Sequence, residues 1–193
     1  MAEAGHATCG GVTMARIYTR TGDKGESTLM GGVRASKAHA RFDAMGDVDE
    51  LNAAIGMAMA AQSDAKVLDV LRMVQNTLFT VGAELSVAAG KKADVPRVTG
   101  HEAMALEGAM DAMDPGKITE FIMPRGSMAV TTLHFARAVA RRAERHCVVL
   151  SKREKVNPEL LRYLNRLSSL LFTLAVWVQR NEGTPREHPT YSR

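Results

Sequence analysis

Residues 157–181, NPELLRYLNRLSSLLFTLAVWVQRN, contain the clearest helical pattern of the chain. Apolar side chains recur there at alternating spacings of four and three residues, which places them on one face of a helix. The stripe consists of Leu160, Leu164, Leu167, Leu171, Leu174 and Val178. Asn157 and Pro158 precede it in the cap-then-proline order that begins a helix. The segment therefore predicts a long amphipathic helix that packs against other helices.

Four segments upstream also predict helices. Alanine and methionine dominate the first, and the second repeats the apolar spacing of four and three. Thr99, with Glu102 three residues later, is a capping-box signature for a shorter third helix. The predicted helices run from about Ala40 to Ala61, from Asp64 to Gly90, from Thr99 to Asp114 and from Ser127 to Arg153. Together the five segments predict an all-α fold, a five-helix bundle of the ferritin-like up-and-down type, with an ordered glycine-rich loop before it.

Composition agrees with this fold class and with one domain. The chain has 193 residues, 46% of them hydrophobic and only 5% aromatic, which favours close-packed helices over a β-sandwich. We predict a disordered leader over residues 1–14, a single helical-bundle domain over residues 15–182 and a loose tail over residues 183–193. The first thirteen residues lack a signal-peptide pattern, and no apolar run is long enough to span a membrane. Cys9 and Cys147 have no disulfide or metal-ligand spacing, so we expect a cytoplasmic protein.

Residues 19–28, TRTGDKGEST, form a glycine-rich segment that predicts an ordered loop rather than a helix. Its glycines allow backbone N–H groups to converge on an anion, and Lys24 and the neighbouring hydroxyls add further donors. The spacing differs from that of a Walker A loop. From the residues alone, a phosphate-binding loop and an ordinary glycine-rich surface turn both remain open.

One face of the predicted fourth helix carries four charged residues within an arc of roughly 100°. They are Arg137, Arg141, Glu144 and Arg145, and Arg142 lies off this arc. Three arginines on one face repel each other unless an anion or carboxylates compensate them, and Glu144 does so only in part. The face therefore indicates either a polyphosphate site or a solvated surface with incidental ion pairs.

Three further polar residues have more than one interpretation. Asp49 lies in an acidic stretch of the first helix, which is surface unless it faces an arginine of the fourth helix. Asn165 lies within the most hydrophobic helix, where it either satisfies a backbone group or recognises a ligand. We interpret His134 as a structural histidine with satisfied hydrogen bonds rather than a metal ligand, because the sequence has no Cys/His cluster.

In their order along the chain, these motifs resemble the PduO-type ATP:cob(I)alamin adenosyltransferases. The matching segments are Ile17–Gly25, Asp49–Gly56, Leu133–Arg137, Arg141–Arg145 and Leu164–Ser168. The resemblance spans about residues 15–180, which is nearly all of the predicted ordered chain. It implies a corrinoid adenosyltransferase that moves the 5′-deoxyadenosyl group of ATP onto the cobalt of reduced cobalamin and releases triphosphate.

The resemblance also implies an assembly and a set of site residues. The fold would be a homotrimer of five-helix bundles, with ATP and cobalamin bound between neighbouring subunits. The implied ATP ligands are Thr19, Arg20, Thr21, Gly22, Lys24, Ser27, Thr28, Lys37, Arg141, Arg142, Glu144, Arg145 and Asn165. Asp49 and Arg137 would form an intersubunit salt bridge, and Phe121 would stand at the lower face of the corrin ring. Mg²⁺ would arrive with ATP rather than in a protein metal cluster.

Partners and mechanism follow from the same resemblance. We expect ATP and cob(II)/cob(I)alamin as substrates, a reductase that supplies Co(I), a cobalamin-dependent mutase that uses the product, and neither nucleic acid nor membrane. Co(I) is already a strong nucleophile, so the enzyme would only align C5′ with cobalt and neutralise the leaving triphosphate. An apolar Phe121 would exclude the lower axial ligand, because four-coordinate Co(II) is easier to reduce.

Two positions depart from the family pattern, and two rival functions remain open. Arg125 replaces the first glycine of the family's Pro-Gly-Gly turn, and Ser169 replaces an aspartate. One rival function is a chaperone that binds ATP and cobalamin but only delivers the cofactor to a mutase. The other is a nucleic-acid-binding helical bundle that uses its basic fourth helix, although that helix lacks interleaved aromatic residues and the glycine-rich loop would have no role.

Overall fold

The computed structural model describes residues 8–9, 12–13, 18, 20–116 and 118–191. Five helices form the body of the protein, as predicted. They are α1 (Ala40–Ala60), α2 (Ala65–Ser86), α3 (Gly100–Ala112), α4 (Met128–Ser151) and α5 (Pro158–Asn181). Four short strands precede them: β1 (Thr8–Cys9) and β2 (Val12–Thr13) pair antiparallel, as do β3 (Glu26–Thr28) and β4 (Arg34–Ser36). Among the described residues, no helix combines the length and apolar character needed to cross a membrane.

The predicted helix starts are confirmed by their caps. The side chain of Asp64 accepts hydrogen bonds from the backbone N–H groups at the start of α2, and Thr99 and Glu102 form the complete capping box of α3. Ser127 caps α4, and Asn157 with Pro158 begins α5. These caps satisfy N–H groups that have no partner inside a helix, which fixes where each helix begins.

The core lies where the apolar stripes of the helices meet. The five leucines of the α5 stripe are fully buried, and Val178 is nearly so. α1 packs against α2 and α4, and α5 packs against α3 and α4. α1 and α4 run antiparallel, since Arg41 near the start of α1 bonds to Glu154 beyond the end of α4. At the other end, Gln62 Nε2 beyond α1 donates to the carbonyl of Ala129 at 3.0 Å.

A buried arginine fixes the end of the bundle from which α1 starts. The guanidinium of Arg41 forms an ion pair with Glu154 and donates to the Leu85 carbonyl of α2 at 2.7 Å. Burying a guanidinium is costly unless it is paired and hydrogen-bonded, and both conditions are met here. The contacts tie α1, α2 and the α4–α5 connection together beside the glycine-rich segment.

The glycine-rich segment is more regular than the predicted loop. Glu26–Thr28 and Arg34–Ser36 form an antiparallel hairpin whose turn contains Gly31 and Gly32, both at positive φ. Met30 anchors this hairpin to the bundle: its N–H donates to the Ser86 carbonyl at 2.9 Å, and its carbonyl accepts from the Ala88 N–H at 3.0 Å. The segment is therefore held at the C-terminal end of α2.

Candidate functional site

A surface groove runs between α4 and α5 and joins most of the predicted site residues of these two helices. The groove consists of three cavities that share lining residues. The polar end, about 270 Å³, is lined by Arg141, Glu144, Arg145, Val148 and Asn165. The middle, about 420 Å³, includes Arg137, Arg141, Ser168, Ser169 and Phe172, and the apolar end, about 380 Å³, includes Ile118, Phe121, Ile122, His134, Arg137 and Phe172. We call this surface the α4–α5 groove.

The polar end contains more positive charge than its neighbours compensate. Asn165 is exposed, and its Nδ2 donates to Glu144 Oε1 at 2.9 Å, so these two side chains orient each other. Arg141 and Arg145 have no ion-pair partner among the residues that the structure describes. Two guanidinium groups without a carboxylate partner beside a cavity are suited to bind a multiply charged anion.

Arg137 lies in the middle of the groove in a less solvated position. It is half-buried, and its Nε is buried without a hydrogen-bond partner in the described part of the chain. Burial and the charge of Arg141 lower the pKa of Arg137. Arginine remains protonated despite such a shift, so the group keeps an unsatisfied donor and a positive charge.

The apolar end of the groove is built around an exposed aromatic residue. Phe121 is 81% exposed, so it is a surface residue and not part of the core in this chain. The turn that carries it is held from behind by the C-terminal tail: the Met123 N–H donates to the Glu187 carbonyl at 2.8 Å, and His188 Nδ1 lies 2.9 Å from the Phe121 carbonyl oxygen. An exposed phenylalanine on a supported turn is suited to contact an apolar ligand.

Arg125, which departs from the family pattern, has a defined partner in this turn. Its Nη1 lies 2.7 Å from Glu187 Oε2 on the tail. The following Gly126 has φ +138, and a Cβ there would meet Val130 Cβ at 3.2 Å, so the glycine is required at that position. The segment after residue 183, predicted to be loose, thus makes specific contacts with the Phe121 turn.

Arg142 occupies a different surface from the other predicted ATP ligands on α4. Its guanidinium bonds to Asp47 Oδ1 at 3.2 Å and pairs with Glu50, both on α1. The hydrogen bond that Arg142 donates to Glu50 and the charge of Asp47 raise the pKa of Arg142. Arg142 does not line the α4–α5 groove, because it lies off the charged arc of α4 and is turned toward α1.

The residues of the glycine-rich loop lie outside the α4–α5 groove of the same chain. Thr19 falls outside the described residues, and the remaining predicted ligands there are Arg20, Thr21, Gly22, Lys24, Ser27 and Thr28. Lys37 belongs to the same surface: its backbone N–H donates to the Gly25 carbonyl at 2.8 Å, and its Nζ lies 3.0 Å from where a Cβ on Gly22 would be. A side chain at Gly22 would therefore displace the lysine ammonium.

Asp49 lies on a second groove, between α1 and α2. This cavity of about 530 Å³ is lined by Phe42, Met45, Gly46, Val48, Asp49, Asn52, Leu78, Phe79, Gly82 and Ala83. Asp49 is exposed, and it makes no ion pair with Arg137 within the chain. Phe79 is 73% exposed beside it. The predicted partners Asp49 and Arg137 therefore lie on different grooves of one subunit.

The expectation for His134 was wrong in one respect. The side chain is buried, but neither ring nitrogen has a hydrogen-bond partner among the described residues, whereas a satisfied structural histidine was expected. In the sequence, only the helical spacing indicated that His134 lies near the site, because it precedes Arg137 by three residues and Arg141 by seven, on the same face of α4.

The described residues include no metal-binding cluster, and Cys147 is not a reactive cysteine. No group of three or more His, Cys, Asp or Glu side chains there is placed to hold a metal ion. Cys147 is buried in the core, and this burial raises the pKa of its thiol to about 12. A thiol with that pKa is almost wholly protonated at neutral pH, so Cys147 is not a nucleophile.

Comparison with known protein sequences finds a family match over most of the chain. The family described as cobalamin adenosyltransferase matches residues 17–178. The corrinoid adenosyltransferase PduO of Citrobacter freundii is 43% identical over 163 residues, which are 82% of this chain and 48% of that protein. The corrinoid adenosyltransferase of Mycobacterium tuberculosis H37Rv is 43% identical over 171 residues, 85% of this chain and 89% of that protein. The chain therefore spans about half the length of the PduO relative and most of the mycobacterial one.

Solved structures with the same fold include variants of one enzyme. A phenylalanine-to-alanine variant of the PduO-type ATP:corrinoid adenosyltransferase from Lactobacillus reuteri, complexed with cobalamin and ATP, superposes with a TM-score of 0.84 at 29% identity, covering 91% of this chain and 100% of that one. An arginine-to-lysine variant of that enzyme, complexed with ATP, gives 0.84 at 30% identity with the same coverage.

Proposed function

The chain belongs to the cobalamin adenosyltransferase family, and from this premise we propose that it transfers the 5′-deoxyadenosyl group of ATP to the cobalt of cob(I)alamin. One observation supports this above all others. A single groove on α4 and α5 has uncompensated arginines at one end and an exposed phenylalanine at the other. These ends match the two substrates, a polyphosphate and a macrocycle with apolar faces.

The polar end is assigned to ATP. Arg141 and Arg145 neutralise the triphosphate, and Glu144 and Asn165, which bond to each other at 2.9 Å, present a preset pair of polar groups to the nucleoside. Arg142 is assigned a supporting role instead, because Asp47 and Glu50 already engage its guanidinium and thereby hold α1 against α4. The glycine-rich loop and Lys37 close over the phosphates from a neighbouring subunit.

The apolar end is assigned to the corrin ring, with Phe121 against its lower face. The Lactobacillus reuteri neighbours support this division, because one variant replaces a phenylalanine and the other an arginine. Those two positions are as far apart along their chain as Phe121 and Arg141 are along this one. The phenylalanine-to-alanine neighbour holds both cobalamin and ATP, which agrees with a residue that tunes the cobalt rather than one that is essential for binding.

The proposed reaction needs no protein base. The electron pair of Co(I) attacks C5′, the C5′–O bond breaks, and that bond's electrons leave with triphosphate, so cobalt is oxidised by two electrons as the Co–C bond forms. The charge that develops on the triphosphate lies beside Arg141 and Arg145. Phe121 excludes a lower ligand, which leaves Co(II) four-coordinate and easier to reduce.

We also propose that the site is completed between subunits of a ring. Asp49 lies on the α1–α2 groove and Arg137 on the α4–α5 groove, so the pair can form only if different faces of two chains meet. Contacts between unlike faces form a closed ring when the rotation between neighbouring subunits closes, and the family resemblance indicates a ring of three subunits. The exposed Phe79 beside Asp49 gives the α1–α2 groove the apolar surface that a stable interface requires.

A double-mutant cycle on Asp49 and Arg137 tests this interface. We expect Asp49→Asn to lower cobalamin turnover more than thermal stability, because it leaves Arg137 uncompensated in a partly desolvated position. Asp49→Asn and Arg137→Ala should couple by at least about 0.5 kcal/mol in kcat/KM. Additive effects would contradict the pairing, and a charge-swapped double variant that regains activity would support it.

Magnesium, partners and location complete the proposal. Mg²⁺ usually keeps several waters and binds through phosphates and one or two carboxylates. We therefore propose that Mg²⁺ enters the site bound to ATP, near the exposed carboxylate of Asp23. When bound, Mg²⁺ would neutralise part of the negative charge on the departing triphosphate. We place the reaction in the cytoplasm, with a reductase that supplies Co(I) and a cobalamin-dependent mutase that takes the product.

The proposed function is tested by product stoichiometry. Purified protein is mixed with ATP, Mg²⁺ and chemically reduced cobalamin, and adenosylcobalamin and triphosphate are quantified together. We expect one triphosphate for each adenosylcobalamin over many turnovers. Binding of both ligands without triphosphate would indicate a cofactor-delivery chaperone, and salt-sensitive RNA or DNA binding without turnover would indicate a nucleic-acid function.

A further inference from the structure

His134 is a buried residue whose polar atoms no described residue satisfies. Only 4% of the residue is exposed, and neither Nδ1 nor Nε2 has a hydrogen-bond partner in the described part of the chain. Its ring packs against Phe172 at a tilt of 59°, with centroids 6.2 Å apart. A buried polar group without a partner loses its bonds to water and gains nothing in return, so its presence in a folded protein needs a reason.

The position of His134 indicates where a partner would come from. The residue lines the apolar end of the α4–α5 groove together with Phe121, Arg137 and Phe172. It lies one helical turn before Arg137, on the face of α4 that continues to Arg141. Because His134 lines this cavity, a ligand that fills it lies in contact with the residue.

The charge state of the ring limits the kind of group that it can bind. Burial lowers the pKa of His134, and the positive charge of Arg137 lowers it further, so the ring is neutral near pH 7. A neutral imidazole has one donor and one acceptor nitrogen, which matches a carboxamide or a hydroxyl. Phosphates are better served by Arg141 and Arg145 at the polar end of the groove.

We propose that His134 is a substrate-positioning residue whose neutral ring hydrogen-bonds to a carboxamide on the rim of the corrin macrocycle. This inference rests on the adenosyltransferase function proposed above. A corrin ring has apolar faces and a rim of carboxamide side chains, so a ring whose face lies on Phe121 brings its rim to the cavity wall that contains His134. One directional bond at the rim fixes the rotation of the macrocycle and thereby the approach of cobalt to C5′.

The first test is His134→Phe, which keeps an aromatic ring against Phe172 but removes both polar nitrogens. We expect the affinity for cob(II)alamin, measured by its visible spectrum at saturating ATP, to fall roughly 10-fold, the effect of one neutral hydrogen bond. The KM for ATP should stay unchanged. The melting temperature should stay equal or rise, because no bond within the protein is lost.

Two further variants separate hydrogen bonding from packing. His134→Gln retains a donor and an acceptor and should recover part of the lost affinity. Tyr163→Phe removes a hydroxyl from a core residue that does not line the groove, and it should leave corrinoid affinity unchanged. A normal affinity in His134→Phe would overturn the proposal, as would a loss explained entirely by a lower melting temperature or by dissociation of the oligomer.

Cobinamide identifies which part of the substrate is contacted, because it lacks the nucleotide tail but keeps the rim carboxamides. The loss of affinity caused by His134→Phe should be the same for cobinamide as for cobalamin. A loss seen only with cobalamin would place the contact on the tail and overturn the assignment. Nitrogen superhyperfine splitting in the EPR spectrum of bound cob(II)inamide would show axial ligation by imidazole, which also contradicts it.

The wild-type protein provides the remaining controls. If it forms no adenosylcobalamin, the proposed function fails. If the wild type turns over normally and His134→Phe keeps the wild-type corrinoid affinity, only the proposed role of His134 fails. Should His134→Phe not fold, the ring ¹⁵N resonances of wild-type His134 are followed on addition of diamagnetic adenosylcobalamin. A shift is expected, and unchanged resonances at saturation would overturn the proposal.

Discussion

Arg141→Ala should lower kcat/KM for ATP by roughly 10- to 150-fold, the range expected when a charge-assisted bond to a phosphate is lost. The residue lines both the polar end and the middle of the α4–α5 groove, and it has no ion-pair partner among the described residues. The melting temperature should change little, because the side chain is exposed and is not part of the core. Steady-state kinetics at varied ATP and a thermal melt of the same preparation measure both effects.

A matched arginine variant shows whether the loss is specific. Arg72 is an exposed arginine on α2 that pairs with Asp69 at 2.6 Å and does not line the α4–α5 groove, so Arg72→Ala should retain wild-type kinetics. Glu144→Ala should also raise the KM for ATP, because it releases Asn165 from its 2.9 Å hydrogen bond. Wild-type kinetics in Arg141→Ala would contradict the assignment of this surface to ATP.

The helices could be predicted from the sequence because their signals are local. Asp64 accepts from N–H groups two and three residues later, and Thr99 and Glu102 close a capping box within four residues. The α5 stripe was equally visible, since a period near 3.6 residues requires only the chain itself. In each of these patterns, the interacting residues lie within about one helical turn of each other along the chain.

Contacts between distant segments were not visible in the sequence. Arg142 was assigned to the nucleotide by resemblance, but its partners Asp47 and Glu50 lie more than ninety residues away. The β3–β4 hairpin was missed for a similar reason: its strands have three residues each, and Met30 secures it by bonds to α2. Such pairings depend on how the helices pack, which no local pattern encodes.

Burial at the site was also beyond sequence reasoning. The family resemblance placed Phe121 at the lower face of the corrin ring, but only the folded turn shows that its side chain is exposed. His134 read as a satisfied histidine, because most buried polar groups are satisfied and the sequence cannot show an exception.

Phe121→Ala should weaken formation of four-coordinate Co(II) on the order of 50-fold while leaving ATP affinity nearly unchanged. Truncation removes roughly 100 Å² of apolar contact with the corrin face, worth about 2.5 kcal/mol at about 25 cal/mol per Å². Without that bulk, water or the tail base can return to the lower face of cobalt, and reduction to Co(I) becomes harder. The visible spectrum of cob(II)alamin with the variant and ATP measures the four-coordinate fraction directly.

The stability of the same variant separates this role from a structural one. A buried phenylalanine truncated to alanine costs roughly 3–5 kcal/mol, but Phe121 is 81% exposed, so the free energy of unfolding should change far less. Phe121→Leu is the matched control, because it keeps apolar bulk and should retain most of the four-coordinate signal. A well-folded Phe121→Ala with a normal four-coordinate spectrum would refute the mechanistic role. Equal losses in the alanine and leucine variants would show that bulk at the lower face is not what keeps the ligand off cobalt.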